Sequence, residues 1–144
     1  MEPIRDLYQQ VLLEHYKHPH NYGHLEHPTH QADGDNPLCG DHIHLELQVE
    51  NDTIVDVRFS GMGCAISKAS ASIMTQAIKG KSVEEVKQLT DLFYQIVKGE
   101  TDVPEAPSSD LEELFIFSGV RDFPTRVKCA TLAWHTLENA LKQS

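Results

Sequence analysis

Cysteine is scarce in this chain of 144 residues: there are three, an odd number, widely separated. That excludes a disulfide framework and leaves burial, thiol chemistry or metal binding. Long apolar runs are missing too, so no segment approaches the ~20 residues of a membrane-spanning helix. Basic residues are few. Twelve Lys and Arg stand against 22 Asp and Glu, a formal net charge of −10, which opposes binding to nucleic-acid phosphates or anionic lipid. The first residues, Met1-Glu2-Pro3-Ile4-Arg5-Asp6, lack the basic-then-apolar pattern of a signal peptide. The expectation is a cytoplasmic protein without nucleic-acid or membrane partners. Its acidic surface suits a partner that carries a basic patch.

What is present suits a folded domain. Hydrophobic residues make up 40% and charged residues 24%, ordinary values for a globular chain. The length fits a single domain over 1–144, able to bury roughly two-thirds of its unfolded surface without staples. Asp6 to Tyr16 reads as a helix, with Ile4, Leu7, Tyr8, Val11, Leu12 and Tyr16 at helical spacing. His18-Pro19 ends it. Residues 24–40 read as loop, with one short edge strand near Gln31. His42 to Glu50 alternates polar and apolar, turns at Asn51-Asp52, and alternates again from Thr53 to Ser60: a hairpin with one face on the core. Gly61-Met62-Gly63 should break that strand.

Ala65 to Ile78 predicts a helix stopped by Gly80, its Ala and Ser residues allowing close approach to other backbone. Ser82 with Glu85 has the pattern of a capping box opening a helix to about Lys98. Glu100 to Asp110 is an acidic, Pro-containing loop, either a solvated insertion or a docking surface. A short helix over Leu111–Phe117, a connector to Thr125 and a last helix over Arg126–Leu141 complete the chain. The fold class is α+β: a small antiparallel sheet of about three strands with helices packed on it.

Each cysteine stands at a junction. Cys39 lies in Asn36-Pro37-Leu38-Cys39-Gly40-Asp41, Cys64 in Gly61-Met62-Gly63-Cys64-Ala65, and Cys129 in Arg126-Val127-Lys128-Cys129-Ala130. Residues two apart on a strand share a side, so Cys39 and Asp41 can meet one ion. Helix starts and nearby cations lower a thiol pKa, which favours thiolates at Cys64 and Cys129. Three thiolates and a carboxylate would complete a tetrahedral zinc site if they converged. Spacing alone does not decide this, because isolated cysteines are often small buried hydrophobes.

The motifs Asn-Pro-x-Cys-Gly-Asp, Gly-x-Gly-Cys-x-x-Ser-x-Ala-Ser and Lys-Cys-Ala-Thr-Leu-Ala-Trp, in order along the chain, resemble those of the U-type iron–sulfur assembly family, which includes IscU-type and NifU N-terminal-like proteins. The likeness is strongest to its SufU branch. The resemblance implies that Cys39, Asp41, Cys64 and Cys129 converge on one metal. Two features set this chain apart from the IscU scaffold branch. Lys128 stands where that branch has a histidine, and Phe123-Pro124-Thr125-Arg126-Val127-Lys128 replaces its Leu-Pro-Pro-Val-Lys chaperone-docking tract. The stretch between Cys64 and Cys129 is also longer, as in SufU. The resemblance therefore implies a zinc-dependent sulfur acceptor, a sulfurtransferase-type protein without turnover of its own, that activates a pyridoxal-phosphate cysteine desulfurase of the SufS type. Cys39, on a loop, would take the sulfur while a partner histidine replaces it on zinc. Sulfur would pass to a downstream scaffold or apo-protein. The alternative is a scaffold binding iron or a [2Fe–2S] cluster through the same thiolates.

Nine histidines remain. His15, His18, His20, His24, His27 and His30 read as a solvated, weakly metal-binding surface. His42 and His44 belong to the polar face of the hairpin, with His42 also a candidate auxiliary ligand beside Asp41. His135 reads as packing beside Trp134. Arg126 and Lys128 are either solvated or in contact with thiolate or partner. Ser67, Ser70 and Ser72 read as helix surface or packing.

Overall fold

The computed structural model describes residues 3–37, 40–98, 114, 117 and 124–142. Its elements are α1 (Pro3–Lys17), β1 (His30–Asn36), β2 (Asp41–Glu50), β3 (Thr53–Met62), α2 (Ala65–Ile78), α3 (Val83–Lys98) and α4 (Pro124–Leu141). The strands form an antiparallel sheet in the order β1-β2-β3. This is the expected α+β architecture. The proposed helix over 111–117 and the acidic loop over 100–110 fall outside the described residues, except for Leu114 and Phe117, which are buried.

The hairpin follows from its turn. Asn51 and Asp52 both have positive φ, 52° and 61°, the left-handed pair that matches strand twist and that Asn and Asp tolerate. Alternation then sends Ile43, Leu45 and Leu47 of β2 and Val57 and Phe59 of β3 into the core, and Ile54 joins them across the register shift at Gln48/Val49. Helices α2 and α4 cover that face of the sheet, and α1 packs on α2. Phe93 of α3 stacks on Trp134 of α4 with ring centroids 4.6 Å apart and meets Phe117 edge-on at 5.6 Å.

Three readings need correction. First, β3 does not break at Gly61 but runs to Met62. A Cβ at Gly61 would lie 2.0 Å from the His42 carbonyl oxygen, so glycine there lets the two strands stay paired rather than ending them. Second, β1 is a full edge strand of seven residues. Gly34 brings it against α4, since a Cβ there would sit 2.0 Å from Thr136 Oγ1. Third, His15 is buried, with Nδ1 2.7 Å from Ser72 Oγ. Ser72, Ser70 and Ser67 are buried with it, and Ser70 donates to Ala130 O at 2.5 Å, which fixes α2 closely on α4. Of the expected apolar face of α1, Val11 and Leu12 pack on the core, while Tyr16 is exposed beside the Lys68 ammonium.

Candidate metal centre

Three of the four expected ligands meet where β2, α2 and α4 come together. Cys64 follows β3 and is the N-cap of α2, its Sγ accepting the Ser67 N–H at 3.4 Å. An N-cap side chain normally satisfies an orphan amide at a helix start, so the thiol lies in the positive end of the helix dipole. Asp41 opens β2 and is buried. Its Oδ1 accepts the Cys64 N–H at 2.8 Å, and its Oδ2 lies 4.0 Å from Cys64 Sγ. Cys129 is fully buried on α4. One ligand atom from each of Asp41, Cys64 and Cys129 lies within 4.8 Å of the others.

That spacing fits a tetrahedral cation. Zinc bonds of about 2.3 Å to sulfur and 2.0–2.2 Å to oxygen imply ligand–ligand edges of roughly 3.6–3.8 Å. The observed separations need only a small contraction of side chains. Cys39 lies outside the described residues, directly before Gly40, which has φ 70°.

The placement of Cys129 corrects one expectation. It is the sixth residue of α4, beyond the four unpaired amides of a helix start, so the helix-start argument does not apply to it. Lys128 beside it is exposed. His42 is also no auxiliary ligand: alternation along β2 puts it on the face opposite Asp41, with Nδ1 2.7 Å from Asp35 Oδ1 and Nε2 3.3 Å from Asp33 Oδ1. The Asp35 hydrogen bond is the main reason its pKa lies above the usual imidazole value, against a smaller opposing effect of burial. His135 is exposed rather than packed in the core, its ring 4.9 Å from that of Tyr94.

Two residues of the centre were not read from sequence. Asn36 ends β1 opposite Asp41, and its amide Nδ2 lies 3.7 Å from Cys129 Sγ. It fell in the stretch 24–40 that reads as loop. Gly63 faces Asp41, and a Cβ there would stand 2.8 Å from Asp41 Oδ1. Its neighbour Cys64 drew the attention, although a glycine directly before a ligand is itself a signal of close approach.

The NifU-like N terminal domain family matches residues 7–130. The zinc-dependent sulfurtransferase SufU of Bacillus subtilis (strain 168) is 43% identical over 135 residues, covering 94% of this chain and 89% of that protein. The iron–sulfur cluster assembly scaffold protein IscU of Streptococcus pyogenes serotype M1 is 41% identical over 145 residues, covering 100% and 88%. A crystal structure assigned to an iron–sulfur cluster assembly scaffold protein for the SUF system, from Fervidobacterium islandicum AW-1, superposes with a TM-score of 0.80 at 33% identity, covering 95% and 98%. Among the described residues no helix is long and apolar enough to cross a membrane.

Proposed function

The chain belongs to the NifU-like N-terminal domain family of iron–sulfur cluster assembly proteins, and we propose from this premise that it is a zinc-dependent sulfur acceptor serving a cysteine desulfurase. The observation that carries the reading is the approach of Asp41, Cys64 and Cys129 to within 4.8 Å, next to a chain position, Lys128, that holds no histidine. The proposed ligands are Cys39, Asp41, Cys64 and Cys129. Zinc, when bound, supplies a positive charge that keeps thiol ligands deprotonated at neutral pH.

The roles divide by position. Cys64 is held at the head of α2 and Cys129 within α4, so both serve as anchors. Asp41 braces the Cys64 amide and offers a hard oxygen in a soft thiolate set, which favours exchange of ligands. Cys39 is the acceptor. Its thiolate attacks the outer sulfur of a persulfide on the desulfurase cysteine. The bond between that sulfur and the partner's Sγ breaks, the partner leaves as a thiolate, and Cys39 becomes the persulfide. No oxidant or reductant is consumed.

The test is to mix zinc-loaded protein with desulfurase and cysteine, trap thiols by alkylation and map the products by mass spectrometry. One extra sulfur on Cys39 is expected, and none on a Cys39→Ala variant that still binds the partner. Extra sulfur on Cys64 or Cys129 alone, or on none of the three, would sink the assignment.

A second reading has a specific support: the likeness to the Streptococcus IscU covers the whole chain at nearly the same identity. On that reading the thiolates hold a [2Fe–2S] cluster for transfer. A brown, iron- and sulfide-containing protein that loads an apo-protein would favour it over a colourless protein with one zinc.

A further inference from the structure

The segment joining α1 to β1 crosses the sheet. Residues 21–23 lie along the edge of β3 that β2 leaves open, with Phe59 N–H donating to Asn21 O at 3.0 Å and Gly23 N–H to Phe59 O at 2.8 Å. By Thr29, whose N–H donates to Leu47 O at 2.9 Å, the chain has reached the far edge of β2. Helices cover one face of the sheet, so residues 24–28 pass over the other. That face carries His42, His44 and Glu46 of β2.

Glu46 is only 7% exposed there, although glutamate is almost never buried unless paired. Its Oε1 accepts the Leu25 N–H at 2.7 Å. Its Oε2 faces two imidazoles, His44 Nε2 at 3.0 Å and His24 Nδ1 at 3.4 Å. The three ligand atoms lie within 4.8 Å of one another. A zinc tetrahedron with nitrogen and oxygen ligands has edges of about 3.3 Å, from bonds of about 2.0–2.1 Å. The other ring nitrogen of His44, Nδ1, is 3.0 Å from Asp33 Oδ1. A carboxylate on the far nitrogen is the usual device that orients a metal-binding histidine.

We propose that His24, His44 and Glu46 form a second divalent-metal site, on the face of the sheet opposite the helices. Two imidazoles and a carboxylate suit Zn²⁺ and its late first-row neighbours rather than Ca²⁺ or Mg²⁺. Three protein ligands leave a fourth position for water or an outside group. Two carboxylates, Glu46 and Asp33, stand 3.0 Å from the ring nitrogens of His44 and would offset the charge of a bound cation. This site uses none of the cysteines and does not depend on the proposed sulfur chemistry.

The test uses the whole protein, first given one equivalent of zinc and then titrated calorimetrically with Zn²⁺. The parent should take up one further equivalent. His24, with 67% of its side chain exposed, can be removed without disturbing the core, and His24→Ala should bind that equivalent at least ten-fold more weakly. His27→Ala, on the same segment and outside the cluster, should match the parent. Co²⁺ in place of the second zinc should give d–d absorption without a thiolate charge-transfer band. A parent that takes no second equivalent would overturn the site. So would His24→Ala binding like the parent, His27→Ala losing the ion equally, or a thiolate band from the second cobalt.

Discussion

Asp41 holds two positions at once: one carboxylate oxygen accepts the Cys64 amide at 2.8 Å and the other lies 4.0 Å from its sulfur. Gly63 makes room for it. Gly63→Ala should therefore displace Asp41 and lower zinc affinity, read by competition with a chelator, while far-UV circular dichroism stays as in the parent. An unchanged affinity would mean that Asp41 is not a ligand. Asn36 acts one step further out, through its amide near Cys129 Sγ. Groups that orient a ligand typically contribute about 10–100-fold in metal affinity. Asn36→Ala should lose zinc affinity in that range, and a loss under two-fold would remove Asn36 from the centre.

Elements set where these residues stand, and their packing can be tested separately from the metal. The stack of Phe93 on Trp134 ties α3 to α4. Phe93→Ala should destabilise the fold by about 3–5 kcal/mol in denaturant unfolding; a loss under 1 kcal/mol would contradict the packing. Asp56 of β3 reports on the joint between the sheet and the end of α2, pairing with Arg58 and with Lys79 at 3.4 Å. Burial pushes its pKa up, but the Val57 N–H, Arg58 and Lys79 outweigh that and hold it below the ordinary carboxylate value. A depressed folded pKa contributes stability that is present above the unfolded pKa and is lost as pH falls through the folded one. Asp56→Asn should thus narrow the gap to the parent as melts are taken from pH 7 to pH 3. A gap that stays constant across that range would contradict the pairing.

The elements that the sequence announced are those whose signal is local. The hairpin alternation and the Ser82–Glu85 capping box, observed as reciprocal bonds at 3.1 and 3.2 Å, needed no tertiary knowledge. Strand β1 was legible only in part, because His-Gln-Ala-Asp-Gly-Asp-Asn has little strand propensity and takes its ladder from the edge of β2. The burial of His15 and Glu46 was hidden for a similar reason, since each depends on a segment distant in sequence. Asp41, Cys64 and Cys129 were legible from their motifs as candidates for one cluster, and they do lie together, whereas Asn36 and Gly63 became candidates only once the strand ends were placed.

At the scale of the whole molecule, a net charge of −10 favours a partner with a basic face and makes association salt-dependent. The rate of association with the desulfurase should fall as ionic strength rises, and a salt-independent rate would argue for an apolar interface. In the proposed function a zinc-held thiol accepts the partner's sulfur. That step is tested most directly by desulfurase turnover measured alone, with the zinc-loaded protein, with the protein stripped of zinc, and with zinc-loaded Cys39→Ala. Stimulation is expected from the zinc-loaded parent only, restored to the stripped protein when zinc is returned. Equal turnover with and without the zinc-loaded protein, or full stimulation by Cys39→Ala, would contradict it.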